Sequence, residues 1–321
     1  MATRRFPLWL TLVPLVVGVG GYWLVWSGFR DRFAVDIHAV LPDKTPSITG
    51  FPYRLEDEIT APALSHNSMG LRASASAALA VLNRGPWQPD LTVMAFKAPR
   101  FSVAVPPLAG ATLILSADLG SASLRLDGAR LARLSTHFDK AKFSLGLLPL
   151  ALTADSVEFH LREIIPVAPT GNSPTHPPVA QFVLKGTGVR LGTGDPLTLT
   201  ADFTATGSKL IRSYASWAPR GSIELAALTL TDATGEILHA TGSAVPQTGA
   251  LAMAGTITTV CPQMLRAAFT GTSAPPEKRL RSPARLSITI QGGVATLGDP
   301  AGGWGPRPVR GQLPACPVLR R

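Results

Sequence analysis

Acidic residues are scarce in this chain. Asp and Glu together number 20 in 321 residues, against 30 Lys and Arg, and all charged residues amount to 16%. A polymer-cleaving hydrolase works with paired carboxylates in a cleft. With so few acids, and none in a recognisable motif, that class ranks last. Two cysteines without nearby histidines make no zinc site, and the six histidines are scattered. There is no G-x-S-x-G elbow, no H-E-x-x-H and no P-loop, since Gly207-Ser208-Lys209 lacks the upstream spacing. Gly186, Gly188, Gly192 and Gly194 put the third glycine at the wrong offset for a dinucleotide fingerprint, so they read as a turn between strands. Glu158 and His160 share one strand face, where a solvated face explains them better than a metal or an acid/base pair. No catalytic residue, metal ligand or cofactor site is assigned, and an enzyme is not expected. Basic residues interleaved with aromatics are also missing, which argues against nucleic acid despite a net charge of +10.

Long apolar runs are missing too, with one exception. Phe6 to Phe29, FPLWLTLVPLVVGVGGYWLVWSGF, holds no charged residue. At helical rise, Leu8 to Trp26 alone reaches roughly 28 Å, the thickness of a bilayer core. Trp9 stands near one end, and Tyr22, Trp23 and Trp26 crowd the other, where amphipathic rings meet headgroups. Arg4 and Arg5 in the short preceding tail favour an N-terminus in the cytoplasm and a body exported to the periplasm. The competing reading is a cleaved signal peptide. Against it, the run is longer than a usual h-region and Trp26-Ser27-Gly28 is a poor cleavage site. The expectation is one inner-membrane span over 1–30, a β body over 31–300 and a Gly/Pro/Arg-rich tail over 301–321.

The body reads as mainly β: a large antiparallel, twisted sheet, groove or sandwich-like, with one or two short helices. Its 30 Gly and 29 Pro fall between apolar runs, as turns do. Val157, Phe159 and Leu161 alternate with Glu158, His160 and Arg162, the pattern of a half-buried strand. Leu197 to Phe203 and Leu286 to Ile290 alternate likewise, and 223–260 reads as a meander with Gly-containing turns. Leu71 to Val81 is Ala-rich but alternates, so it reads as a strand. AVDIHAVLPD after Phe33 has strand-like residues. Gly85-Pro86-Trp87-Gln88-Pro89 is a bend, with Trp87 capping a core edge. Two helices are expected, at Leu126 to Leu134 and Pro262 to Phe269. The stretch Pro166 to Pro178 is a loop that could divide the body into two lobes.

An exported compartment permits a Cys261–Cys316 disulfide, weighed against free buried thiols. The one dense basic patch is Lys278, Arg279, Arg281 and Arg285. It reads as a solvated loop or as a contact with anionic headgroups, at about 1 kcal/mol per residue.

The anchor, Gly50-Phe51-Pro52-Tyr53-Arg54, Pro86-Trp87-Gln88-Pro89, His160-Leu161-Arg162 and the closing Gly293-Val294-Ala295-Thr296-Leu297-Gly298 occur in an order that resembles the family called domain of unknown function 2125. The resemblance covers most of the chain after Thr49 and implies an envelope protein of Gram-negative bacteria. Its marker positions here are Phe51, Pro52, Arg54, Trp87, Pro89, His160 and Arg162. The family carries no activity to transfer. By looser analogy the layout is similar to AsmA-type envelope proteins, which use long twisted sheets as apolar lipid grooves. The expected function is therefore a membrane-anchored periplasmic protein binding a lipid or other apolar molecule, with Leu71 to Val81 and Leu251 to Ile257 as candidate groove walls. The alternative is an envelope scaffold that docks a protein partner.

Overall fold

The computed structural model describes residues 12–68, 71–104, 112–128, 130–145, 150–165, 177–207, 217–247, 250–270, 272, 280–292, 294–300, 303 and 314–318. It opens with helix α1 (Val13–Val40). Pro14 sits in the first turn, where a missing N–H costs nothing. Pro42, just beyond, disfavours helical geometry at Leu41. The helix runs through AVDIHAV, correcting the strand-like reading of that stretch. Phe33, Ile37 and Leu41 recur at helical spacing, and all three are buried in one cluster with Leu55 and Ile59. Burial of that stripe outweighs the β preference of Val and Ile. No helix among the described residues is long and apolar enough to cross a membrane. Phe6 to Thr11 of the apolar run lie outside the described residues.

Seventeen strands form one antiparallel sheet. They are β1 (Leu55–Thr60), β2 (Ala63–Ser68), β3 (Leu71–Ser76), β4 (Leu79–Gly85), β5 (Gln88–Lys97), β6 (Arg100–Ala104), β7 (Thr112–Ser116), β8 (Leu119–Asp127), β9 (Arg130–Leu145), β10 (Leu150–Glu163), β11 (Pro178–Leu191), β12 (Leu197–Thr206), β13 (Ser222–Asp232), β14 (Gly235–Gln247), β15 (Ala250–Thr259), β16 (Ala284–Gln291) and β17 (Val294–Leu297). A second helix, α2 (Pro262–Thr270), lies between β15 and β16, as expected. The pairings simplify this list. β1 pairs β4 while β2 pairs β3, and β4 pairs β5 while β3 pairs β6. β5 pairs β8, β6 pairs β7, and both β7 and β8 pair β9. So β1–β2, β3–β4, β5–β6 and β7–β8 are four long ribbons, each interrupted once. With β9 to β17 they make a pure meander of thirteen ribbons in chain order. β10 and β11 pair on either side of the 166–178 stretch, with Glu163 opposite Ala180.

Two expectations shift here. Leu71 to Val81 is β but not one strand, because it breaks after Ser76. Leu126 to Leu134 is not a helix. Gly128 takes φ +60° and turns β8 into β9, so Asp127 faces Arg130. The i, i+3 apolar spacing there belongs to two strands that meet at a turn.

The interruptions fall in line. Along each of the first seven ribbons, core positions advance by two and then once by three: Ile59 to Pro62, Ala77 to Ala80, Phe96 to Pro99, Ala117 to Gly120, Phe138 to Ala141, Ala154 to Val157, Gly186 to Val189. All of these are buried except the half-buried Ala77 and Phe96. One extra residue per ribbon is a bulge, which bends a strand and increases its twist. Ala61, Ala98, Lys140 and Gly188, within the step, have φ of 46° to 59°. The hydrogen bonding continues across this seam, for example from Ala78 N–H to Lys97 O and from Ala98 N–H to Asp118 O. Side chains two ribbons apart meet there. The Phe101 and Phe138 rings lie 5.4 Å apart, over the small residues Ala117 and Gly120. The sheet therefore bends toward its apolar face. No described pairing joins β17 to β1, so the described sheet stays open.

Candidate functional site

Side chains alternate across a strand, so the register assigns every residue to a face. One row of paired positions crosses eleven ribbons: Leu82, Met94, Ala122, Thr136, Phe159, Leu184, Ala201, Leu228, Ala240, Ile257 and Leu286. Only Thr136 is polar. The row one residue on, on the opposite face, reads Glu158, Lys185, Thr200, Thr229, His239, Thr258 and Arg285. The sheet thus has one apolar and one polar face, the arrangement expected when one face is shielded from water.

What shields the apolar face is limited. α1 covers Leu55 and Ile59 at the first ribbon. α2 covers the other end, where Leu265 and Phe269 pack with Leu286 and Leu297. Among the described residues no second sheet lies between them. There Phe159, Phe182, Leu184, Phe203 and Leu228 are half-buried, and Leu64 and Leu113 are 39% and 42% exposed. Ala73 and Ala75, in one expected groove wall, and Met253 and Gly255, in the other, are also half-buried rather than sealed in a core. Gly255 faces Gly242, which keeps the floor shallow. Among its described positions such a face offers apolar area and no nucleophile or acid/base pair.

Five marker positions from the sequence converge on α1. Gly50, at φ +96°, and Pro52 turn the chain beneath the helix. Tyr22 donates its hydroxyl hydrogen bond to Pro52 O at 2.5 Å, and Trp26 Nε1 donates to Arg54 O at 3.3 Å. The Phe51 ring lies 5.4 Å from Trp26 and 5.8 Å from Tyr22. Trp87 stacks on Tyr22 at 5.7 Å and meets Phe29 edge-on at 6.4 Å. Trp87 remains 70% exposed, so it joins the helix rather than capping the core edge. Pro89 lines a cleft of about 450 Å³ with Phe29, Val35 and Arg84. Arg84 lies 4.6 Å over the Phe33 ring and pairs with Asp36 at 2.5 Å. Neither Tyr22 nor Phe29 signalled this role in the sequence, where both belonged to the apolar run.

His160 and Arg162 lie elsewhere, on the polar face of β10. His160 Nε2 is 3.5 Å from Glu158, and His137 is 3.0 Å from Asp139 and 3.8 Å from Glu158. His160 Nδ1 is buried without a partner. No cluster of metal-binding geometry occurs among the described residues. Asp155 pairs with Arg190 at 2.8 Å, and that hydrogen bond holds its carboxyl below the usual range.

Of the basic patch, only Arg281 and Arg285 fall among the described residues. Lys278 and Arg279 lie outside the described residues, and Arg285 is exposed on β16. Arg281 is turned inward, 8% exposed, because Asp232 accepts from its Nη2 at 2.5 Å and Pro314 O from its Nε at 2.9 Å. A guanidinium so engaged cannot reach a headgroup. Burial pushes the Asp232 carboxyl up, but hydrogen bonds from the Thr234 hydroxyl and N–H and from Arg281 outweigh it and hold it low. Cys261 and Cys316 are disulfide-bonded. Val318 N–H donates to Asp195 at 2.7 Å, so residues 314–318 strap the turn between β11 and β12 to the start of α2.

Fold and face define a class: an open β-meander with one apolar side and a helix docked at its first edge. A family model described as an uncharacterized protein conserved in bacteria (DUF2125) matches residues 44–244. The chain belongs to that family. No curated protein and no solved structure matches it.

Proposed function

We propose that this is an envelope protein, anchored in the inner membrane by the apolar run through α1, whose exported sheet holds lipid acyl chains on its apolar face. One observation carries the reading: the apolar row runs unbroken but for Thr136 across eleven ribbons, and among the described residues the helices cover it only at its two ends. Its larger side chains mid-row, Phe159, Leu184 and Leu228, are only half-buried, and a contiguous apolar surface left partly open supports a binding site. The disulfide suits an oxidising compartment. Phe6 to Thr11 complete the charge-free run that α1 continues. The full chain, extracted from envelopes in mild detergent, should carry specific lipid above the level on a control exported protein with the same anchor. Recovery of a stoichiometric protein partner with no enriched lipid would favour the scaffold reading instead.

A further inference from the structure

The exposed aromatic residues are not spread over the molecule. Among the described residues the exposed Trp, Tyr and Phe are Trp23, Phe51, Tyr53 and Trp87. Trp23 is on α1. The other three sit at the strand ends where β1 begins and β4 turns into β5. Leu126 and Ile165 close β8 and β10 at that same end of the meander, and they are 40% and 65% exposed. Tyr53 reaches 85% and Trp87 70%. Among the described residues the opposite strand ends expose aliphatic residues such as Leu113 and Leu280, and no aromatic. Charged side chains stand beside this rim: Arg54 and Arg125, 62% and 52% exposed, pair there with Glu56 at 3.3 Å and Asp90 at 3.4 Å.

We propose that this rim, the strand ends of the first six ribbons, rests on the bilayer surface itself. The inference depends on the anchor reading above and adds the orientation of the sheet. α1 leaves the body at the same end, and its exposed Leu15, Val16, Val19 and Leu24 continue the apolar surface of the rim. Trp and Tyr prefer the headgroup layer, where an apolar ring and a polar tip are both satisfied. α1 is one unbroken helix from Val13 to Val40, so the seat is rigid rather than tethered. The contact ends near the sixth ribbon because a twist of about 20° per strand carries later ribbons out of any one plane. With the rim seated, an acyl chain passes from the bilayer onto the apolar face between the strand ends without crossing water.

The test uses the full chain in vesicles of phosphatidylethanolamine with a minority of phosphatidylglycerol, doped with a phospholipid bearing a diazirine near its headgroup. Photolabelled peptides are then mapped by mass spectrometry. Peptides holding Tyr53, Trp87, Leu126 and Ile165 should be labelled several-fold more than those holding Leu113 and Leu280, alongside label on α1. Tyr53→Ser, at a position 85% exposed, should lower label on the Leu126 and Ile165 peptides while leaving label on α1. Label on α1 with none on the rim overturns the seating and leaves the anchor standing. Equal label at both strand ends overturns the seating as well. Absence of label from α1 and rim alike overturns the anchor itself.

Discussion

Replacing both cysteines by serine tests how locally this sheet is held together. The disulfide closes a loop with a sequence separation of 55. In the chain-entropy picture a loop of that size contributes about 4 kcal/mol. That is an upper figure here, because Arg281 to Asp232 and Val318 to Asp195 still tie the same segment in the variant. The location of the loss is more informative than its size. Each ribbon pairs only with its neighbours in sequence, so the cost should stay near the cross-link, as it does in stacked repeats. Hydrogen exchange of the full chain in detergent, with and without Cys261→Ser/Cys316→Ser, reads this directly. Amides of α2, β16 and residues 314–318 should lose protection, and those of β4, β5, β8 and β9 should not. Uniform loss across all ribbons, or no loss anywhere, would refute the nearest-neighbour reasoning.

Four further outcomes are expected. Gly188→Ala should destabilise by about 2 kcal/mol in urea titration, since φ +59° is unfavourable for alanine and the new Cβ would lie 2.0 Å from Asp155 Oδ2. Gly221→Ala should cost at least as much, because Trp217 occupies the space 2.1 Å away. Asp232→Asn should cost about 3 kcal/mol at neutral pH by leaving Arg281 buried beside a neutral group. The Asp232 carboxyl is held low in the folded state, so its contribution is present above the ordinary carboxylate pKa and lost as pH falls through the lowered value. The variant's deficit should therefore shrink in acid, in melting curves taken from pH 7 downward. Leu184→Gln, half-buried mid-row, should reduce copurified lipid several-fold with a small change in melting temperature.

Much of the sheet could be read from period-two alternation, because one wet and one apolar face impose it directly. Val157-Phe159-Leu161 and the meander from Ile223 onward are the clearest cases. The seam could not. A bulge slips the alternation by one residue, and the residues at the slip, Ala61 and Ala98, are ones that carry no turn signal. Leu126 to Leu134 misled for the same reason, since apolar positions on two strands flanking Gly128 imitate helical spacing. AVDIHAV was settled by tertiary burial against Leu55 and Ile59, which no local window contains. At the site, Phe51, Pro52, Arg54, Trp87 and Pro89 were singled out without a shared purpose. Only the packing of Tyr22, Trp26 and Phe29 against them gives them one. Arg281 looked like its basic neighbours because its partner, Asp232, lies 49 residues away.

The meander makes the apolar wall extensible. Each described ribbon pairs only with its sequence neighbours, and the strap of residues 314–318 ties distant ribbons only from β11 onward. A hairpin inserted or deleted at a turn between β4 and β11 would change the wall by two strand spacings, about 9.6 Å, while the edge on α1 and the disulfide-bound end kept their own contacts. The span of this surface is therefore set by the number of hairpins, and can be lengthened or shortened in whole steps without rebuilding either terminus.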